Sequence, residues 1–159
     1  MFSGLTVLVL VIASCYGSVP YVRKFENSGG GAVRDWDDKF YKVHGRYSSK
    51  SEHEAYTSQL KGKVEQYLAA NADIAERKKS QLRTLTPHKG MTKNEVRLFL
   101  NGPVAVSRDL KVMAEQAGSL WPRLQGAVDE SWAYEPYTYY FAGEVLVYIV
   151  HRMPAYQPL

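Results

Sequence analysis

Cysteine is almost absent from this chain: one residue, Cys15, in 159. The body beyond it has no thiol, which excludes a disulfide framework, a thiol nucleophile and a cysteine metal site there. Such a body can fold in an oxidising compartment without mispairing. Long apolar runs are missing too. The longest, residues 5–13 of MFSGLTVLVLVIASCYGS, is about half of the roughly 18–20 residues a spanning helix needs. The four histidines, His44, His53, His88 and His151, lack ligand spacing of the H-E-x-x-H kind. His53 and Tyr56 share a helix face, but a metal would need at least one further ligand. No glycine-rich phosphate loop follows a strand, and a net charge of +4 names no nucleic-acid partner. Glu130 and Glu135 straddle Trp132 and can be drawn as paired carboxylates, although surface charges on a strand account for them equally well. The sequence therefore gives no cofactor, no metal and no catalytic constellation to expect.

What is present begins at the front. The apolar run has signal-peptide length, and Ile12-Ala13-Ser14-Cys15 follows it. This tetrad resembles the bacterial lipobox, in which small residues fit a peptidase cleft and the cysteine thiol takes a lipid. The expectation is a signal peptide over 1–14 and acylation (palmitate chemistry) at Cys15. An ordinary secretory peptide cut near Gly17, or an uncleaved anchor running to Val22, stays open. The stretch that follows, including NSGGG at 27–31, reads as a flexible tether over 15–35. Residues 36–50 read as an aromatic and charged arm laying Trp36, Phe40 and Tyr41 on a domain at 51–159.

Charge is unevenly spread. From Arg77 to Lys111 nine cations face two anions, whereas from Val112 onward two cations face five. Arg77, Lys78, Lys79, Arg83 and Lys93 are the candidate surface for an acidic protein face or anionic lipid headgroups. A solvated helix face is the plainer reading.

Helix signals punctuate the middle. Ser51 with Glu54 reads as a capping box, followed by an apolar stripe of Tyr56, Leu60, Val64, Tyr67 and Leu68 that Asn71 ends. Asp73 with Glu76 opens a second helix, which Pro87 closes. In KGMTKNEVRLFLNGPV, Thr92 caps a third and Glu95 reaches back. Val96, Phe99 and Leu100 form its apolar face, Gly102 can turn left-handed past the end, and Pro103 forbids another turn. So short a helix needs an apolar surface to lie on. Another helix is expected from about Arg108 to Ala117, broken by Gly118 and Pro122. Beyond it Trp132 and Tyr134, then Tyr137, Tyr139 and Phe141, then Val145, Val147 and Ile149 alternate as strands, with a turn at Ala142-Gly143. Rings at this spacing read as core and cross-strand pairs. The fold class is α+β: a two-layer sandwich of two to four helices on one face of a three-stranded antiparallel sheet.

Gly90, Met91 and Thr92, then Val96, Leu100 and Pro103, resemble the signature of the BamE-like (SmpA/OmlA) lipoprotein domain. Trp132 and Tyr134, with the later hairpin, match its W-x-Y element, and the likeness spans about residues 65–150. About 28 residues separate Pro103 from Trp132, which reads as an inserted helix. The resemblance implies helices on a three-stranded sheet and a small non-enzymatic lipoprotein at the periplasmic face of the outer membrane. It also implies an accessory role beside an envelope protein complex, in the assembly of outer-membrane proteins, and contact with anionic lipid. A secreted binding or inhibitor module of the same fold is the alternative.

Overall fold

The computed structural model describes residues 21–100 and 105–154. Among them the chain runs β1 (Tyr21–Glu26), α1 (Ala32–His44), α2 (Lys50–Ala70), α3 (Glu76–Arg83), α4 (Lys93–Arg97), β2 (Ala105–Ser107) and α5 (Leu110–Ala117). A 3-10 turn (Gly118–Leu120), α6 (Trp121–Leu124), β3 (Glu130–Tyr134), β4 (Tyr137–Ala142) and β5 (Val145–Pro154) follow. The class is α+β with an antiparallel sheet, as expected. The sheet has five strands rather than three, in the order β1-β5-β4-β3-β2. The expected signal peptide over 1–14, Cys15, Gly102 and Pro103 lie outside the described residues. No helix of the described residues is long and apolar enough to cross a membrane.

Alternating side chains build the meander β3-β4-β5. Trp132 stands opposite Tyr139, and Tyr139 opposite Ile149, so these three share a sheet face. Trp132, Tyr139, Phe141 and Ile149 on that face pack with Leu60, Val64 and Leu68 of α2, Leu82 of α3, and Met91, Val96 and Phe99. Each fully buried side chain of this kind is worth about 1.5–3 kcal/mol. The expectation of helices on one face alone is corrected by the other face. There Tyr140 and Val150 pack with Met113 and Ala117 of α5, Leu124 of α6, and Val128. The Tyr140 hydroxyl donates to the Met113 carbonyl at 3.1 Å. A face carrying such side chains cannot be left to water, and the insert between α4 and β3 supplies its cover.

β5 does not alternate along its whole length. Tyr140 pairs with Tyr148 but Phe141 with Leu146, leaving Val147 as an extra residue in a bulge. Leu146 and Ile149 thereby share the first face, where unbroken alternation would separate them.

The expected tether is shorter than 15–35. Tyr21 to Glu26 pair with β5 from Pro154 to Ile149, and the Gly29 amide donates to the Pro87 carbonyl at 2.8 Å. Gly29 and Gly30 are buried. A Cβ at Gly29 would lie 2.7 Å from Cε1 of Tyr139, and one at Gly30 would lie 2.8 Å from the Asp35 carboxylate. The glycines are there for close approach, not for looseness. The expected arm over 36–50 is for the most part α1, whose Trp36 stacks on Tyr56 of α2 at 4.5 Å.

Three helix signals shift. The capping box of α2 is Ser49 with Glu52, not Ser51 with Glu54. α3 begins at Glu76 behind Ala75 without a side-chain cap, and ends at Arg83, short of Pro87. Pro122 does not break a helix but sits in the first turn of α6, where its missing N–H has no intrahelical partner to lose. The stripe Leu60, Val64 and Leu68 is buried, and Asn71 is the C-cap of α2.

Candidate functional site

The segment from Gly90 to Phe99 is where the motif residues meet. Gly90 has φ +88°, a left-handed conformation that favours glycine. Its amide donates to the Leu146 carbonyl at 2.8 Å, and the Leu146 amide returns a bond to the Met91 carbonyl at 2.8 Å. The turn before α4 is thus stitched to the start of β5. Met91 is fully buried and Phe99 is 2 % exposed. The Thr92 hydroxyl accepts from the Glu95 amide at 3.3 Å, and the Glu95 carboxylate accepts from the Thr92 amide at 2.6 Å. Both partners of the expected box are present.

Glu95 is itself buried, and its carboxylate takes two further partners. The Lys78 ammonium of α3 lies 2.9 Å from its Oε2, and the Tyr67 hydroxyl of α2 donates to Oε1 at 3.4 Å. One carboxylate therefore ties three helices together. A second buried carboxylate, Glu130, accepts from the Trp132 indole at 2.6 Å and from Arg108 at 2.9 Å. Lys93 stands 3.2 Å away. Burial alone would push the Glu130 carboxyl up. The bonds from Trp132, Arg108 and Lys93 outweigh it and hold the group below the usual carboxylate range. Arg97 lies over the Trp132 ring at 4.8 Å, and the Tyr134 ring carries Lys39 at 3.9 Å.

This arrangement corrects the cationic surface. Lys93 is buried, with Glu130 at 3.2 Å and Glu144 at 3.7 Å. Lys78 pairs with Glu95, Lys79 with Glu76 at 2.8 Å, and Arg83 with Glu65 at 2.9 Å. Arg77 is exposed and forms no ion pair among the described residues. A tract that is basic in sequence is largely neutralised in space. Glu130 opens β3 and Glu135 lies in the turn past its end. The two carboxylates bond different partners, Glu130 with Trp132 and Arg108 and Glu135 with Arg152, so they do not form an acid pair. Glu135 meets Arg152 at 3.2 Å, while His151 stacks on Tyr137 at 4.5 Å. Among the described residues, no group of three or more His, Cys, Asp or Glu side chains is placed to hold a metal ion.

Two features escaped sequence reasoning. At the tip of the α1–α2 hairpin Tyr41 is 46 % exposed, Val43 77 % and Tyr47 72 %, with the two tyrosine rings 4.7 Å apart. Its loop is held by the Asp37 carboxylate, which accepts from Ser48 at 2.5 Å and meets His53 Nδ1 at 2.9 Å. A cleft of about 340 Å³ opens between α5 and the second sheet face, with Arg23, Arg152, Glu115 and Glu135 around it. The tip was missed because Tyr41 was expected to lie on the domain with Trp36 and Phe40, whereas it is exposed near the end of α1. The cleft was hidden because Arg23 lies far from the rest in sequence. No family model, curated protein or solved structure matches this chain.

Proposed function

We propose that this protein is a non-enzymatic lipoprotein of the bacterial envelope, held by acylated Cys15 at the periplasmic face of the outer membrane. Its α+β domain docks on an envelope protein complex, and the likeness to BamE-like domains points to one that assembles outer-membrane proteins. The observation that carries the docking reading is the α1–α2 tip. Tyr41 and Tyr47 stand in water there, while Trp132, Tyr139, Tyr140 and Phe141 are buried. Tyrosine gives large, stiff contact area with a polar end, and it is enriched at binding hot spots. A protein face suits this tip better than anionic headgroups. Cations and anions are balanced around it, with Lys42, Arg46 and Lys50 beside Asp38, Glu52 and Glu54.

The test places a photo-crosslinking side chain at position 47 in cells, with position 77 as the comparison. A discrete adduct with one envelope protein from position 47, lost when Tyr41→Ser is added, supports docking through the tip. Adducts from position 77 alone would move the surface to α3 and refute it. Cys15→Ala should release the chain from membranes. A membrane-bound C15A protein would refute the lipid anchor.

A further inference from the structure

We infer that the cleft between α5 and the sheet binds a small zwitterion, an α-amino acid or short peptide carrying a free carboxylate and a free ammonium. The inference stands on the cleft alone, whether or not Cys15 is acylated.

Arg23 and Arg152 face each other directly in the β1–β5 ladder, so both project from the sheet face that α5 roofs. Like charges directly opposite one another in an antiparallel pair repel, and here both line the same opening. Arg23 is held by α5. Its Nε–H donates to the Gln116 carbonyl at 2.8 Å and Nη2 to the Glu115 carbonyl at 3.4 Å. These carbonyls belong to the last turn of α5, the negative end of its dipole. Arg152 is held less firmly. It lies over the Tyr21 ring at 4.3 Å and donates to Glu135 at 3.2 Å.

The Glu135 side chain is 77 % exposed. An ion pair so open to water is weak and easily exchanged. It shows what Arg152 accepts, a carboxylate approaching from the rim, and a ligand carboxylate can take that place with two parallel bonds. Glu115, on the α5 side of the opening, is exposed and makes no ion pair among the described residues. It is the acceptor for an ammonium. Val150, fully buried at its back, and Ala133 form an apolar floor between the charges. A volume of about 340 Å³ sits at the small end of ligand sites. Two carboxylates at the mouth oppose a phosphate or an anionic headgroup, whereas a zwitterion satisfies both signs.

The full-length chain is titrated with alanyl-leucine and followed by amide NMR shifts. N-acetyl-alanyl-leucine, alanyl-leucine amide and inorganic phosphate are run in parallel. The dipeptide should shift Glu115, Val150 and Arg152 saturably, and each capped form should bind about tenfold more weakly or worse, as expected when a charged partner is lost. Arg152→Gln should abolish binding, and Glu115→Gln should erase the preference for the free amine. Glu135→Gln should tighten binding several-fold by removing the internal competitor. Should R152Q misfold, E115Q and E135Q on exposed positions decide the matter. Phosphate binding as tightly as the dipeptide, equal binding of the capped forms, weakening by E135Q, or no shift up to about 20 mM ligand (weaker than any millimolar site) would each overturn the proposal.

Discussion

Replacing Gly29 by alanine separates a packed glycine run from a loose one. A Cβ there would meet Cε1 of Tyr139 at 2.7 Å and Cζ at 2.9 Å. Tyr139 cannot retreat, because it is fully buried between β3 and β5. Overpacking of this kind costs about 1–3 kcal/mol, offset by roughly 0.4–1 kcal/mol because alanine stiffens the unfolded chain. The net loss is about 1–2 kcal/mol, which for a domain of this size lowers the melting temperature by roughly 3–10 °C. Gly31→Ala is the control. Its Cβ would touch only Thr86 Oγ1, at 3.8 Å, and the backbone there has φ −65°. That variant should stay within about 0.5 kcal/mol of wild type.

The Tyr139 hydroxyl makes the pair more informative. It is buried near the Gly30 amide and reaches no partner at hydrogen-bonding geometry among the described residues. Tyr139→Phe should therefore be neutral or slightly stabilising. In that background Gly29→Ala should lose part of its effect, a coupling of about 0.5–1 kcal/mol, since the ring carbons still stand in the way. Thermal unfolding followed by circular dichroism reads the four variants beside wild type. Equal melting temperatures for Gly29→Ala and Gly31→Ala would mean that the glycine run does not pack on the sheet, and the reasoning fails.

Other outcomes follow from the same structure. Ser49→Ala should lower stability by about 1 kcal/mol while Ser51→Ala changes little, because Ser49 alone caps α2; urea melts separate the two. Glu130→Ala leaves the buried Lys93 only the more distant, exposed Glu144 at 3.7 Å and should cost about 3 kcal/mol, read by chemical denaturation. The Glu130 carboxyl is held below its usual range, so its stabilising effect is present above the unfolded-state value and lost as pH falls through the lower folded value. The gap between wild type and E130A should accordingly narrow in acid. Asp35 behaves oppositely. Burial, aided by Asp38, raises its carboxyl against the pull of Arg34 and Lys39. Its protonated form favours folding, and that stabilisation fades as pH rises through the folded value. Asp35→Asn should therefore raise the melting temperature more at pH 7 than at pH 4.

Much of the fold was legible because its signals are local. Thr92 and Glu95 stand three residues apart with an apolar pair behind them, and that is what a cap requires. The strands from Trp132 to Ile149 were legible because rings and β-branched residues recur at every second position. What failed was non-local or degenerate. Two overlapping Ser-x-x-Glu boxes precede α2, and only Glu52 also has Arg46 to bond, at 2.8 Å. β1 reads YVRKFE, an edge strand with charges on both faces, and only its partner β5 makes it a strand. The cations of α3 looked like a docking face because sequence displays charge but not the carboxylate across from it. Lys93 was misread for that reason, since Glu130 lies 37 positions away in the chain. The cleft depends on the β1–β5 register, which no local pattern encodes.

The proposed lipid anchor requires that the mature chain begin at Cys15. Mass spectrometry of the N-terminal peptide from membranes should find Cys15 as the first residue, carrying a diacylglyceryl thioether several hundred daltons above the unmodified mass, a mass the C15A chain lacks. A mature N-terminus beyond Cys15, or an unmodified Cys15 thiol in the membrane-bound protein, would contradict the lipid anchor on which the envelope reading rests.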